Sequence, residues 1–353
     1  MESNEVFAIL RDQTDRLLAE HVTREALAAA DRGAWPAALW NVVAEAGLPH
    51  ALVPESAGGA GLAPAEALLL LRRVGYHALP LPLGETMLAN ALWVAAGGAP
   101  IAGPATLAPT LPGVMVGMAR EGDRVTLHGT IAAVPWGDSA SLVVLAQAGD
   151  NALHLALLPP PASAPVLTRN LAGEPRPTLI LDGAPVAEIR PAPALAKSGM
   201  LALGAALRAQ QMIGAMEHAL DFALAYANER QQFGRPIGKF QAVQHMLAEA
   251  AGQFAAATAA ADGILTAFGD EEAVFAVALA KARVGEAAGK VAEVAHQVHG
   301  AMGFTQEHTL HFLTRRLWSW RDEFGNEAEW QRLIGRRVLA AGGAALWPML
   351  AGA

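Results

Sequence analysis

The sequence predicts a mainly α protein with a central β domain. It divides into an N-terminal helical domain (1–104), a middle β-barrel or sandwich (105–192) and a C-terminal four-helix bundle (193–353). Three observations carry this. Apolar residues recur at helical spacing in the first part, with loops between them. The middle holds short β-type runs separated by Gly, Pro and Asp. From about Ala196 the helical period returns in longer segments. Apolar residues make up 53% of the 353, ample for a large buried core.

In the first part, Phe7, Leu10, Leu17 and Leu18 fall on one face of a first helix. Another helix spans 36–46 and stops at Gly47. A Gly-rich loop covers 54–61, and a further helix runs over 64–74. In the middle, strands are predicted over 114–118, 124–128, 141–146, 153–158 and 178–181. Their hairpin-like spacing argues against alternating βαβ units. The last part reads as helices over 205–230, 241–268, 271–298 and 327–340. Glu271 and Glu272 suit a helical first turn. Long helices with short connections pack as an antiparallel bundle.

Composition excludes several classes. The net charge is −8 and Lys and Arg form no long run, so nucleic acid is not an expected partner. With no cysteine, disulfides, thiolate metal sites and cysteine nucleophiles are ruled out. The charged N-terminus has no apolar signal-peptide core, and the most apolar stretches, 88–102 and 338–353, are short or broken by Gly and Pro. A cytoplasmic protein without a membrane span is the expectation.

The segment Tyr226-Ala227-Asn228-Glu229-Arg230-Gln231-Gln232-Phe233-Gly234-Arg235-Pro236 leads through Lys239-Phe240-Gln241 into the next helix. A second segment is Gln297-Val298-His299-Gly300-Ala301-Met302-Gly303-Phe304. A third comprises Ala46-Gly47-Leu48-Pro49, Pro54-Glu55, Gly58-Gly59 and Leu81-Pro82-Leu83. In this order they resemble the acyl-CoA dehydrogenase family over nearly the whole chain. The first matches its Arg-x-x-Phe-Gly turn, the second its Gln-x-x-Gly-Gly-x-Gly-Phe/Tyr loop. The resemblance implies FAD as cofactor and an acyl-CoA thioester as substrate. The family's catalytic carboxylate takes the α-proton while the β-hydride passes to the flavin. It also implies that Arg230, Gln232, Phe233, Gln241, Gln297 and Gly300 hold an FAD bound mainly by a neighbouring subunit. A guanidinium suits the pyrophosphate through paired hydrogen bonds, and Gly300 permits close backbone approach. An arginine at a helix end is also favoured by the dipole alone, but three ordered motifs favour the ligand reading. Phe233 stays open between packing and ligand contact.

The family pattern breaks elsewhere. Counting back from Trp330-Gln331-Arg332 places Gly325 where the base is commonest, and counting forward from Gly303-Phe304 places Phe324 there. Glu323 is the best substitute, with Asp322 and Glu327 weaker. The alternative base position, on the helix before Arg230, falls on Gly204. Pro135 stands where a flavin-facing hydroxyl is usual and has no N–H to offer, with Trp136 one step later. Ala108-Pro109-Thr110-Leu111-Pro112-Gly113 replaces a Thr-Glu-x-x-x-Gly-Ser-Asp loop. The half-site offered to the chain's own FAD is degraded, while the half-site offered to a neighbour is kept. This resembles the small subunits of heteromeric (α2β2) acyl-CoA dehydrogenases of bacterial steroid catabolism, and implies a homologous partner chain. The alternatives are a self-sufficient homo-oligomer with Glu323 as a shifted base, and a non-catalytic structural paralogue. A reading from another class is a metal site at His296, His299, Glu307, His308 and His311, against hydrogen-bonded or solvated histidines. Trp318, Trp320 and Trp330 suit packing. Arg315 and Arg316 suit a CoA phosphate or surface salt bridges.

Overall fold

The computed structural model describes residues 2–109, 116–122, 124–161, 168–192, 199–267 and 273–351. Five helices come first: α1 (Glu2–His21), α2 (Arg24–Asp31), α3 (Ala37–Glu45), α4 (Pro64–Tyr76) and α5 (Leu83–Ala95). Local chemistry sets their starts. The Thr23 hydroxyl accepts from the Ala26 N–H, and the Glu66 carboxylate accepts from the Ala63 N–H just ahead of Pro64. Sequence reading missed α2 and α5. In α5 the reason is that nearly every side chain is buried, so no polar face marks the period.

Seven strands follow: β1 (Ala105–Leu107), β2 (Val116–Glu121), β3 (Arg124–Ile131), β4 (Ser141–Gln147), β5 (Leu153–Leu158), β6 (Leu179–Pro185) and β7 (Glu188–Pro191). They form one sheet in the order β6-β3-β2-β4-β5-β7, with β1 beside β4. The expected antiparallel sheet is modified, since β1 and β2 both run parallel to β4. The chain leaves along β1, makes the β2–β3 hairpin, and returns in β4 in the same direction. β4 is buried on both faces: Val143 and Leu145 join the helical core, and Leu142, Val144 and Ala146 the core on the other face.

The last part holds α6 (Met200–Glu229), a two-strand hairpin of β8 (Gln231–Gln232) and β9 (Arg235–Pro236), α7 (Gln241–Ala267), α8 (Ala273–His299), α9 (Leu310–Asp322), α10 (Glu327–Ala341) and α11 (Leu346–Ala351). The expected turn at Glu271 and Glu272, and residues 110–113 of the altered loop, lie outside the described residues. Helices from both ends of the chain share one hydrophobic core running from Leu18 to Trp330. Their contact is closest where α4 crosses α6. A Cβ on Gly75 would lie 1.8 Å from the Gln211 carbonyl oxygen, and one on Gly214 1.7 Å from that of Arg72. Only glycine allows the two backbones this approach. Among the described residues no helix is long and apolar enough to cross a membrane.

Candidate active site

The corner between α9 and α10 carries the residues that sequence counting places at the base position. Two consecutive left-handed residues, Phe324 (φ 54°) and Gly325 (φ 92°), make the turn. Phe324 adopts that conformation because the surroundings over-determine it. Buried Lys281 donates to the carbonyls of Arg321 (2.6 Å) and Gly325 (2.8 Å). The Trp330 indole donates to the carbonyls of Phe324 and Gly325. Arg321 pairs with Glu327 at 2.7 Å, and Asn326 and Glu329 cap α10 reciprocally. The turn drives the Phe324 ring inward onto α6 at Gly204. A Cβ on Gly204 would lie 2.1 Å from that ring. The two positions that the resemblance offers for a base thus meet at one place, and a phenyl ring fills it.

Glu323 enters a buried ionic network. Arg176 Nε donates to its Oε1 at 2.8 Å and Asn170 Nδ2 to the same oxygen at 2.9 Å. Arg208 Nε and Arg176 Nη2 donate to Oε2 at 2.7 and 3.1 Å. Arg208 also reaches Glu85 Oε1 at 2.5 Å, and Arg176 reaches Glu174 Oε2 at 2.8 Å. Glu174 in turn accepts from the Trp320 indole and pairs with Arg316 at 3.2 Å. Three guanidinium groups thus balance three carboxylates. Burial pushes the Glu323 carboxyl up, but Arg176 and Arg208 outweigh it and hold the pKa at about 2. This is the environment of a structural ion pair. A proton-accepting carboxylate needs a free oxygen and a pKa nearer neutrality. Glu327 is occupied by Arg321, whereas Asp322 is exposed at the cavity wall.

A cavity of about 700 Å³ opens between sheet and helices, walled by Ile131, Pro135, Leu171, Leu201, Trp318 and Phe324, with Glu323 and Arg176 at its floor. Pro135 faces it. Trp136 turns away and stacks under the Arg176 guanidinium at 4.6 Å, so it does not replace the missing flavin-facing group. Trp320 and Trp330 are buried, and Trp318 adds to the cavity wall. Arg315 pairs with Asp31. Arg316 corrects its expectation of a surface role: α9 buries it fully against Glu174.

The residues of the matching motifs lie elsewhere. Arg230, Gln232, Phe233, Gln241, Gln297 and Gly300 are all exposed, and none lines the cavity. The β8–β9 hairpin holds Phe233 at φ 51° with the residue 93% exposed. Arg230 closes α6, its N–H bonded to the Tyr226 carbonyl and its own carbonyl to the Ile237 N–H. Its guanidinium makes no hydrogen bond or ion pair among the described residues. Gly300 (φ 59°) faces open space. The Tyr226 and His299 rings stack at 4.6 Å, which brings the two motifs to one end of the bundle.

The histidines stack rather than converge. His296 lies between Phe304 (4.2 Å) and Trp318 (5.6 Å), and donor–acceptor contacts tie His296 to Thr314 and His299 to the Ala295 carbonyl. Among the described residues no group of three His, Asp or Glu is placed to hold a metal. Burial pulls the His296 pKa from 6.5 down to about 4. The unfolded chain therefore takes up a proton below pH 6.5 that the folded chain refuses. Stability contributed by neutral His296 is full above that pH and falls as pH drops towards 4. The expected loss is about 2 kcal/mol between pH 7 and pH 5 relative to His296→Phe, measured by urea unfolding.

Sequence reasoning missed Glu85, Asn170, Glu174, Arg176, Arg208 and Lys281. A usable signal was present for two: Glu85 and Arg208 are lone charges in otherwise apolar helical runs, where a charge implies a buried partner.

Comparison with known proteins agrees with this architecture. The family "Acyl-CoA dehydrogenase, N-terminal domain" matches residues 5–99, and "Acyl-CoA dehydrogenase, C-terminal domain" matches 194–339. Acyl-CoA dehydrogenase IpdE2 of Mycobacterium tuberculosis is 30% identical over 87% of this chain and 89% of its own length. The chain belongs to the acyl-CoA dehydrogenase family. That family is one of oxidoreductases that are generally FAD-dependent. Among solved structures, the Tcur3481–Tcur3483 steroid ACAD is 28% identical with a TM-score of 0.82, covering 97% of this chain and 99% of its own. The ChsE4–ChsE5 complex from Mycobacterium tuberculosis shares the fold at 24% identity and a TM-score of 0.84, covering 96% and 98%.

Proposed function

We propose that this chain is one subunit of an FAD-dependent acyl-CoA dehydrogenase that forms the α,β-double bond of an acyl-CoA thioester. In this reading it completes a flavin site housed by a homologous partner chain. The observation that carries it is an asymmetry: both base positions of the chain's own cavity are filled by Phe324 over Gly204, while the six motif residues are exposed and clear of that cavity. Glu323 is then an ion-pair anchor, not a shifted base.

The exposed surface fits the dinucleotide end of FAD. Arg230 offers a free guanidinium for the pyrophosphate, with Gln232, Gln241 and Gln297 as amide donors. Phe233 offers a flat, solvent-facing ring, and Gly300 lets backbone approach. The chain's own cavity does not fit the reacting end, with Pro135 and Phe324 at its walls. Bound FAD supplies the hydride acceptor; the base and the flavin-facing donor fall to the partner. The Tcur3481–Tcur3483 relative is a steroid ACAD named for two chains, which supports a bulky acyl group and a heteromeric assembly here.

The test is the visible absorption spectrum and FAD content of this chain alone and co-expressed with a homologous chain that keeps the Tyr-Glu-Gly motif. Little flavin alone and about one FAD per pair of chains support the reading. Full occupancy alone overturns it, and a flavin-free pair favours a structural paralogue. Within the pair, Arg230→Ala is expected to weaken FAD binding about tenfold, the value of one lost charge-assisted hydrogen bond. The melting temperature should not move, because the guanidinium has no partner among the described residues.

A further inference from the structure

We propose that His299 is a positioning residue: it sets the spacing between the Arg230 hairpin and the Gln297–Gly300 loop, so that both reach one ligand. The proposal rests on the reading above for what that ligand is. Its geometric basis is a run of four rings in contact. Phe222 and Tyr226 stand one turn apart on the same face of α6, in the last turns before Arg230. Opposite them, His299 and His308 flank the 300–307 loop at its two ends. Phe222 meets His308 at 5.2 Å, His308 meets His299 at 4.6 Å, and His299 stacks on Tyr226 at 4.6 Å. Both ends of the loop are therefore seated on the helix that ends in Arg230.

Both histidines touch α6, and His299 is the one that does so nearer Arg230, at Tyr226. It is 3% exposed, and its Nδ1 faces the Ala295 carbonyl at 2.7 Å, which places the ring proton there and leaves Nε2 as a bare acceptor. That Nε2 is buried without a hydrogen-bond partner. With that nitrogen unused, the imidazole contributes as a ring. Its aromatic faces are what the site uses, against Tyr226 on one side and the edge of His308 on the other. The rings that meet it are Tyr226 from α6 and His308 beyond the loop. Burial lowers the pKa of both His299 and His308, and the charges of His299 and His311 lower that of His308 further, so the seam packs as neutral rings.

Two readouts test this. In the chain alone, His299→Ala is expected to raise amide hydrogen exchange over 300–305 at least tenfold while the rest of α8 stays protected. In the co-purified pair, His299→Ala is expected to weaken FAD binding about tenfold with the mass of the assembly unchanged. His299→Phe keeps the stack on Tyr226 and should recover most of both. Tyr226→Leu should reproduce the His299→Ala loss from the other side, and the double variant should be no worse than either single one. Unchanged exchange in His299→Ala, His299→Phe as poor as His299→Ala, or additive losses in the double variant overturns the proposal. A wild-type pair that binds no FAD removes the flavin role and with it the functional reading. A pair that binds FAD equally well with and without His299 removes this inference alone.

Discussion

Glu323→Gln is expected to lower the free energy of unfolding by about 3–5 kcal/mol, the range for removing one partner of a buried ion pair. The size follows from what remains. Arg176 and Arg208 are 4% and 0% exposed, and with Glu323 neutral the network carries three guanidinium groups against two carboxylates. One uncompensated positive charge stays in the core, out of reach of solvent screening. The same logic sets the acid limb. The Glu323 carboxyl has its ordinary pKa of 4.5 in the unfolded chain and about 2 in the folded one. Its stabilising effect is full above pH 4.5 and drains away as pH falls towards 2. Urea unfolding of wild type and variant at pH 7 and pH 3 measures both: the gap between them should narrow at pH 3. A working general base behaves in the opposite way, since its neutral analogue loses turnover and keeps stability. A Glu323→Gln chain of wild-type stability with no turnover in the pair would restore Glu323 as the base.

Gly204→Ala is expected to cost about 3 kcal/mol, the upper part of the range for overpacking. In an ordinary helix interior the same change stabilises by about 1 kcal/mol, because alanine orders more cheaply than glycine. Here the added methyl lands 2.1 Å from the Phe324 ring, so the ring must swing towards the cavity it walls. Lys281, Trp330 and the Arg321–Glu327 pair hold the turn that aims it. In a Phe324→Ala background the sign should reverse, and Gly204→Ala should stabilise by about 1 kcal/mol. A double-mutant cycle by chemical denaturation reads this coupling directly. Additive effects would mean that the two positions do not share one space, and the asymmetry behind the proposed function would lose its base.

Much of the architecture was legible from pattern. The 200–229, 241–267 and 273–299 helices announce themselves by length and by glycine stops, and β4 and β5 by short apolar runs between turns. The motif residues were legible for another reason: Arg230, Phe233 and Gly300 sit in contiguous segments whose spacing the chain itself displays. Helix α5 and strands β1 and β7 were missed, because full burial or three- to four-residue length leaves no period to read.

Sequence alone thus determined the order of helices, strands and bundle, the absence of cysteine chemistry, and the turn that carries Arg230 and Phe233. Those properties are written locally, in composition, period and contiguous motifs. Only the tertiary structure decided what Glu323 is. A glutamate beside a glycine turn reads the same whether it faces a substrate or two arginines 115 and 147 positions away along the chain. Only the structure, likewise, showed that Gly204 and Phe324, two separate gaps in a family pattern, are one filled volume. Charge balance and steric exclusion act through space, between residues that no window along the chain holds together.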